Sequence, residues 1–169
     1  MKILITGIPG TGKSTVAEQL SNKGVKTYDL DLADSICHWR SKKTGKLTDW
    51  YSGIGREWLD AHKWVCEKDK VKLLVNRAEN FVVVGMPHNL DQLLLLFDKV
   101  ILLQCSEKTF LQRLKTRDSN DFGKADSEQK YILSWYKDFE RNMLAKNAIP
   151  IDTDRPLDVV VKNIITKLE

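Results

Sequence analysis

Three cysteines, Cys37, Cys66 and Cys105, are spread over 169 residues. They are odd in number and include no CxxC pair, so nothing in their spacing points to a disulfide framework or a zinc site. Free thiols in a reducing cytoplasm are the expectation. His38, His62 and His88 have no metal-ligand spacing either and read as ordinary polar positions. Long apolar runs are also missing. "LLLLF" at residues 93–97 is far too short to cross a bilayer, and only a few apolar residues precede Gly7, so no membrane anchor or export signal is expected. Positive charge is in mild excess, with 27 Lys and Arg against 23 Asp and Glu, a net +4. That balance suits anionic small molecules but is thin for a dedicated nucleic-acid binder, and no nucleic-acid partner is expected. Repeats and low-complexity tracts are absent. Neither a base-reading "NKxD" after a late strand nor a "DxxG" after the third appears, which argues against a GTP-dependent switch.

What is present is 42% hydrophobic and 30% charged sequence, long enough to bury one core as a single domain over residues 1–169. Short apolar runs alternate with longer segments of helical character. Ile3–Thr6, Val25–Asp29, Phe81–Gly85, Val100–Cys105 and Ile149–Asp152 read as strands. The first helix carries Val16, Ala17 and Leu20 on one face and stops at Gly24, and Ser106 caps a later helix rich in basic residues at its end. Residues 32–80 read as a mostly helical excursion, with Trp58, His62 and Val65 along one stripe. Residues 125–147 read as one helix, and Pro156 suits the first turn of the last. Five strands separated by helices argue for an α/β fold, a parallel sheet covered on both faces with ligands at its carboxyl edge.

"GIPGTGKST" follows the first strand and opens the first helix. Gly7, Gly12, Lys13 and Ser14 satisfy GxxxxGK[ST] in the required setting. Glycines let the backbone curl so that successive N–H groups of the loop, whose expected nucleotide-binding residues are Gly7, Pro9, Gly10, Thr11, Gly12, Lys13, Ser14 and Thr15, point at phosphate oxygens, and the helix N-terminus adds positive charge. Lys13 would bridge the β and γ phosphates of ATP, and Ser14 would offer its hydroxyl to Mg²⁺.

Two family resemblances follow from the residues themselves. "GMPHNLDQ", residues 85–92, resembles the "GFPRTLPQ" stretch of adenylate kinases: Gly85, Pro87 and Gln92 match, while Val84 stands at the acidic position and His88 at the arginine. Asp29-Leu30-Asp31 resembles the "DxD" pair of shikimate kinases, which implies Asp29 as a Mg²⁺ partner and Asp31 as the group holding an acceptor hydroxyl. Asp31 as a plain helix cap is the other reading. "RLKTRD" resembles the lid entry of these small kinases and implies Arg113 and Arg117 over the ATP phosphates. Arg113 as a solvated helix-end charge stays open beside that, and Lys130 and Arg141 lie in the following helix. Residues 117–126 would form a short lid, without the cysteines of a zinc-bearing one. "IPIDTDRPLDVV" is similar to the ending that lies beside adenine. The resemblance implies a three-layer P-loop kinase fold with five parallel strands in the order 2-3-1-4-5, a helical acceptor-binding insertion at 32–80, and ATP and Mg²⁺ as cofactors.

The insertion is dense in tryptophan and positive charge. Trp39, Trp50, Tyr51 and Trp58 could stack on a planar ring, and Arg40 and Arg56 could hold an anionic group; ordinary packing of a small helical lobe is the other reading, and it suits Trp58 and Trp64, within helical patterns, better than Trp50. The expected acceptor residues are Asp31, Arg40, Arg56, Gly85, His88 and Gln92, and the expected catalytic residues Lys13, Asp31 and Arg117. The reading is an ATP-dependent phosphotransferase with a small-molecule acceptor, nucleotide-like or a metabolite hydroxyl. A nucleotide-binding regulator with little turnover is the alternative.

Overall fold

A computed structural model describes residues 1–32, 35–77, 80–118 and 120–168. In chain order its elements are β1 (Lys2–Thr6), α1 (Lys13–Asn22), β2 (Thr27–Asp29), β3 (Cys37–Ser41), β4 (Leu47–Thr48), α2 (Arg56–Ala61), β5 (His62–Cys66), α3 (Lys68–Val75), β6 (Phe81–Val84), α4 (Leu90–Leu93), β7 (Lys99–Gln104), α5 (Glu107–Thr116), α6 (Asp126–Leu133), α7 (Tyr136–Ala145), β8 (Ile149–Asp152) and α8 (Leu157–Leu168). Single 3₁₀ turns follow β2 and α4.

Alternation along β1 builds both layers of the core. Successive side chains of a strand point to opposite faces. Ile3 and Ile5 pack with Val16, Ala17 and Leu20 of α1 and with Val160, Val161 and Ile164 of α8. Leu4 packs on the other face with Val71, Leu74 and Val75 of α3 and Met143 of α7. Each fully buried side chain of this size stabilises the fold by about 1.5–3 kcal/mol. The sheet runs β2-β6-β1-β7-β8 and every pairing is parallel. Counting only its own strands, that is the expected order 2-3-1-4-5. Its carboxyl edge collects the ends of β1, β2 and β6, where the site lies.

Two expectations fail for local reasons. Residues 32–80 are not mostly helical: β3, β4 and β5 form a three-stranded antiparallel sheet in the order β4-β3-β5, flanked by the short α2 and by α3. "CHWRS" and "HKWVC" carry aromatic and β-branched residues that favour a pleated surface. The Trp58–His62–Val65 stripe therefore divides, with α2 ending at Ala61, although the Trp58 and His62 rings still stack at 4.0 Å. Pairing in that sheet sets Cys37 opposite Cys66, and the two form a disulfide, which corrects the expectation of free thiols; Cys105 is free. The positions 33, 34, 78 and 79 of the insertion and 119 of the lid lie outside the described residues.

The helix expected over 125–147 is two helices. Ser134 turns its hydroxyl back onto the Tyr131 carbonyl at 2.7 Å, a local bond that competes with helix continuation, and α7 starts afresh at Tyr136. Capping matches expectation elsewhere: Ser106 Oγ accepts from Thr109 N at 3.3 Å, and Gly24, with φ 84°, ends the first helical segment. Among the described residues no helix is long and apolar enough to cross a membrane.

Candidate active site

The loop from Gly7 to Gly12 joins β1 to α1 at the centre of the sheet. Gly10, with φ 89°, lies so close to α5 that a Cβ there would meet the Phe110 carbonyl oxygen at 2.7 Å. No side chain caps α1, so the leading N–H groups of this ten-residue helix stay available to an anion. Lys13 is only 8% exposed. Its Nζ donates to the Gly7 carbonyl at 2.9 Å and lies 3.6 Å from Asp31 Oδ2. The expected phosphate lysine and the expected acceptor carboxylate thus meet.

Asp29 and Ser14 meet as well, Ser14 Oγ donating to Asp29 Oδ2 at 2.7 Å. Asp29 pairs in register with Val84, so the carboxylate missing from β6 is offered one strand over at the same level of the sheet. Burial raises the Asp29 pKa, the Ser14 hydroxyl opposes it, and the Asp31 charge raises it further. Two hard oxygens side by side at a phosphate loop form a donor set that fits Mg²⁺.

Asp31 sits in the 3₁₀ turn after β2. Its backbone N–H donates to Asp29 Oδ1 at 2.9 Å, while its own carboxylate accepts from Met86 N at 3.3 Å across the strand ends. That carboxylate bonds to the neighbouring strand's loop, which the helix-cap reading does not require. Gly85 makes the approach possible: a Cβ there would stand 2.8 Å from Leu30 Cβ.

Arg113 donates to the Thr153 carbonyl at 2.7 Å and to its hydroxyl at 3.2 Å, pinning the loop after β8 beside the phosphate loop. Arg117 donates through Nη2 to the Phe122 carbonyl, and its Nε is buried without a partner. Burial lowers its pKa, and the nearby Asp31, Glu128 and Asp121 charges pull the other way. Glu128 ties down the segment expected to be the lid. Fully buried at the start of α6, it accepts from Gly123 N at 2.7 Å with one oxygen and from Gly53 N at 3.1 Å with the other. The lid and the loop carrying Trp50 are therefore tied to one carboxylate.

Two cavities flank these groups. A larger one, about 440 Å³, runs from Gly10–Val16 past Arg113 and Thr116 to Thr153, Arg155, Leu157 and Val160. A smaller one, about 140 Å³, lies under Trp39, Trp50, Trp64, Phe122, Tyr131 and Trp135, with Pro9, Met86 and His88. Lys13, Asp31, Arg117 and Asn120 line both. His88 accepts from Trp64 N at 3.1 Å through Nδ1, and its Nε2 lies 3.3 Å from the Tyr131 hydroxyl. Although one edge of the residue faces solvent, desolvation of the ring, helped by Lys42 and Lys63, pushes its pKa down to about 4, so it is neutral at pH 7.

Of the expected acceptor residues, the structure brings Asp31 and His88 to the small cavity, with Gly85 beneath Asp31. Arg40 instead donates to the Gly45 carbonyl at 3.1 Å inside its hairpin. Arg56 pairs with Asp60 at 2.7 Å and covers the outer side of the Tyr131 ring, and Gln92 is exposed beside Asn89. Arg141 pairs with Asp138 on an exposed face. Asn120 and Glu128 were not anticipated. Asn120 lay in view beside Arg117 in a polar loop, whereas Glu128 reads as a surface helix charge.

A protein-family model described as an AAA domain matches residues 3–133. The chain belongs to this family. It is 31% identical over 124 residues to the adenylate kinase of Borrelia recurrentis, a match over 69% of this chain that spans only 57% of that enzyme. The fold is that of P-loop kinases of the nucleoside-monophosphate-kinase-like group. It superposes on a deoxyadenosine kinase from M. mycoides with a TM-score of 0.61 at 19% identity, covering 99% of this chain and 98% of that one. It superposes on the shikimate kinase of Aquifex aeolicus with a TM-score of 0.57 at 20% identity, covering 99% and 96%.

Proposed function

We propose that the chain is a small-molecule kinase that moves the γ-phosphoryl group of ATP to a hydroxyl of a small acceptor. The observation that carries this reading is the junction of the two cavities, where Asp31, Lys13, Arg117 and Asn120 line both at once. The larger cavity takes the nucleotide. Phosphates lie against the open N-terminus of α1, and the base lies toward Thr153, Leu157 and Val160. Ser14 and Asp29 would hold Mg²⁺, which supplies charge neutralisation on the phosphates.

Phosphoryl transfer asks a protein mainly for positioning and for charge placed where it develops. Lys13 reaches the β and γ phosphates by leaving the Gly7 carbonyl, a short rotation of a flexible chain. Arg117 enters from the lid with an N–H already freed of protein partners. Asp31 orients the acceptor hydroxyl and takes its proton as the oxygen bonds to phosphorus. The names of the relatives are consistent with this class, and they do not select the acceptor.

The test is ADP release measured with MgATP over a panel of alcohols, nucleosides and nucleotides. Acceptor-dependent ADP formation supports the proposal. Tight ATP binding with no acceptor-dependent turnover would favour the regulatory alternative.

A further inference from the structure

The smaller cavity limits what the acceptor can be. Its volume of about 140 Å³ compares with a cavity of ~150 Å³ that accommodates one benzene ring. A single six-membered ring with small substituents fills it; a nucleoside, with its base and its sugar, would have to extend into the neighbouring hollow of about 470 Å³ that shares Met86, His88, Tyr131 and Trp135. Charge narrows the class further. The only lysine and arginine in the lining are Lys13 and Arg117, and both also line the nucleotide cavity. Among the described residues this lining holds no further cation for an acceptor phosphate, and its one imidazole is neutral at pH 7.

The walls say what surface the ring presents. Trp39, Trp50, Trp64, Trp135, Phe122 and Tyr131 offer aromatic faces, against which the C–H face of a saturated ring packs well. The groups left without a partner are donors, beside acceptors in the same lining on Asp31, Asn120 and Tyr131. Among the described residues only five buried side-chain polar atoms have no partner, and three of them are N–H donors of residues in this lining: Trp50 Nε1, Trp135 Nε1 and Arg117 Nε. A buried donor left unpaired is costly, and such atoms concentrate where a ligand completes the structure. Hydroxyl groups suit such a lining, since their oxygens can accept from the two tryptophan N–H groups while their protons go to Asp31 and Asn120.

Resting on the phosphotransferase reading above, we propose that the acceptor is an uncharged monocyclic polyol, with one hydroxyl on Asp31 and others turned to the N–H groups of the aromatic wall. The acceptor oxygen forms the new O–P bond as the bond from the γ-phosphorus to the β–γ bridging oxygen breaks. ADP leaves with that electron pair, and the hydroxyl proton passes to Asp31 and then to solvent.

The experiment uses two readouts on the full chain. ADP release is measured with a set of hexoses and inositols, with adenosine, with AMP and with shikimate, and tryptophan fluorescence is titrated with the same compounds. A polyol should give saturable ADP release and the highest kcat/KM, with AMP inactive. Trp50→Phe keeps the ring but removes one donor, and it should raise the polyol KM about fivefold to tenfold while the KM for ATP holds. Higher kcat/KM for adenosine, AMP or shikimate than for every polyol overturns the proposal. If no compound releases ADP, the phosphotransferase reading fails on its own. In that case a saturable fluorescence change with a polyol still supports the acceptor class, and none with any polyol overturns it.

Discussion

The two cavities are built on different principles. One wall of the larger is backbone, the N–H groups of one loop and one helix end at the centre of a parallel sheet, faced by side chains from Arg113 to Val160. The smaller is made by side chains that are far apart in sequence, from Trp39 to Trp135, gathered by an antiparallel sheet, a lid and two helices. A backbone cradle binds any polyphosphate. A side-chain cavity selects one shape, and on the proposed function the general and the specific half meet at the four residues that line both cavities.

Lys13→Ala tests the general half and carries the largest expected effect. Removing one charge placed on the transferring phosphoryl group should lower kcat about 10²–10³-fold. Lys13 is buried, but its partners are two backbone carbonyls and Asp31 rather than an apolar core, so the melting temperature should move little. Wild-type turnover in this variant would remove Lys13 from the mechanism.

Asp31→Asn asks whether the junction belongs to the specific half. Asn keeps the size and can still accept from Met86 N, but it loses the basic charge. Turnover should fall by about 10²-fold or more while MgATP binding is spared. Unchanged turnover would return Asp31 to the role of a cap.

Glu128→Gln tests whether the two halves close together. Each carboxylate oxygen takes an N–H from a different loop, so an amide leaves one buried donor facing another. The expected loss is about 1–3 kcal/mol, read by thermal unfolding, with the acceptor KM rising more than that of ATP. Equal changes in both KM values would show that the tie is structural only.

The contrast also explains what could be read from the chain. The phosphate loop is contiguous, so its nine letters carry strand, turn and helix at once, and the sheet order came with the resemblance to small kinases. The insertion misled because Trp58, His62 and Val65 happen to stand near a helical spacing, while the pairing of "CHWRS" with "HKWVC" is a tertiary event that local periodicity does not encode. Asp29 opposite Val84 is a register relation between strands more than fifty residues apart. Glu128 looked like any acidic residue at a helix start, and only the loops that cover it give it its role.

Asp29 gives the smallest effect near neutrality and the sharpest one in acid. Its carboxyl titrates above the usual value, chiefly because it is buried, with the Ser14 hydroxyl opposing and the Asp31 charge adding. Between the unfolded value of 3.8 and the raised folded one, the folded protein holds the extra proton. That part of the stability is present in acid and is lost as the pH rises through the folded value. Asp29→Asn, which never ionises, should therefore melt at or slightly above the wild type at pH 7 in the absence of nucleotide. Mg²⁺ needs the opposite form. The wild-type kcat/KM for MgATP should fall as the pH drops toward the raised value, because proton and metal compete for one carboxylate. In Asp29→Asn the rate should be lower throughout and that acid limb flatter. An acid limb of wild-type shape in the Asn variant would assign the titration, and with it the metal contact, to another group.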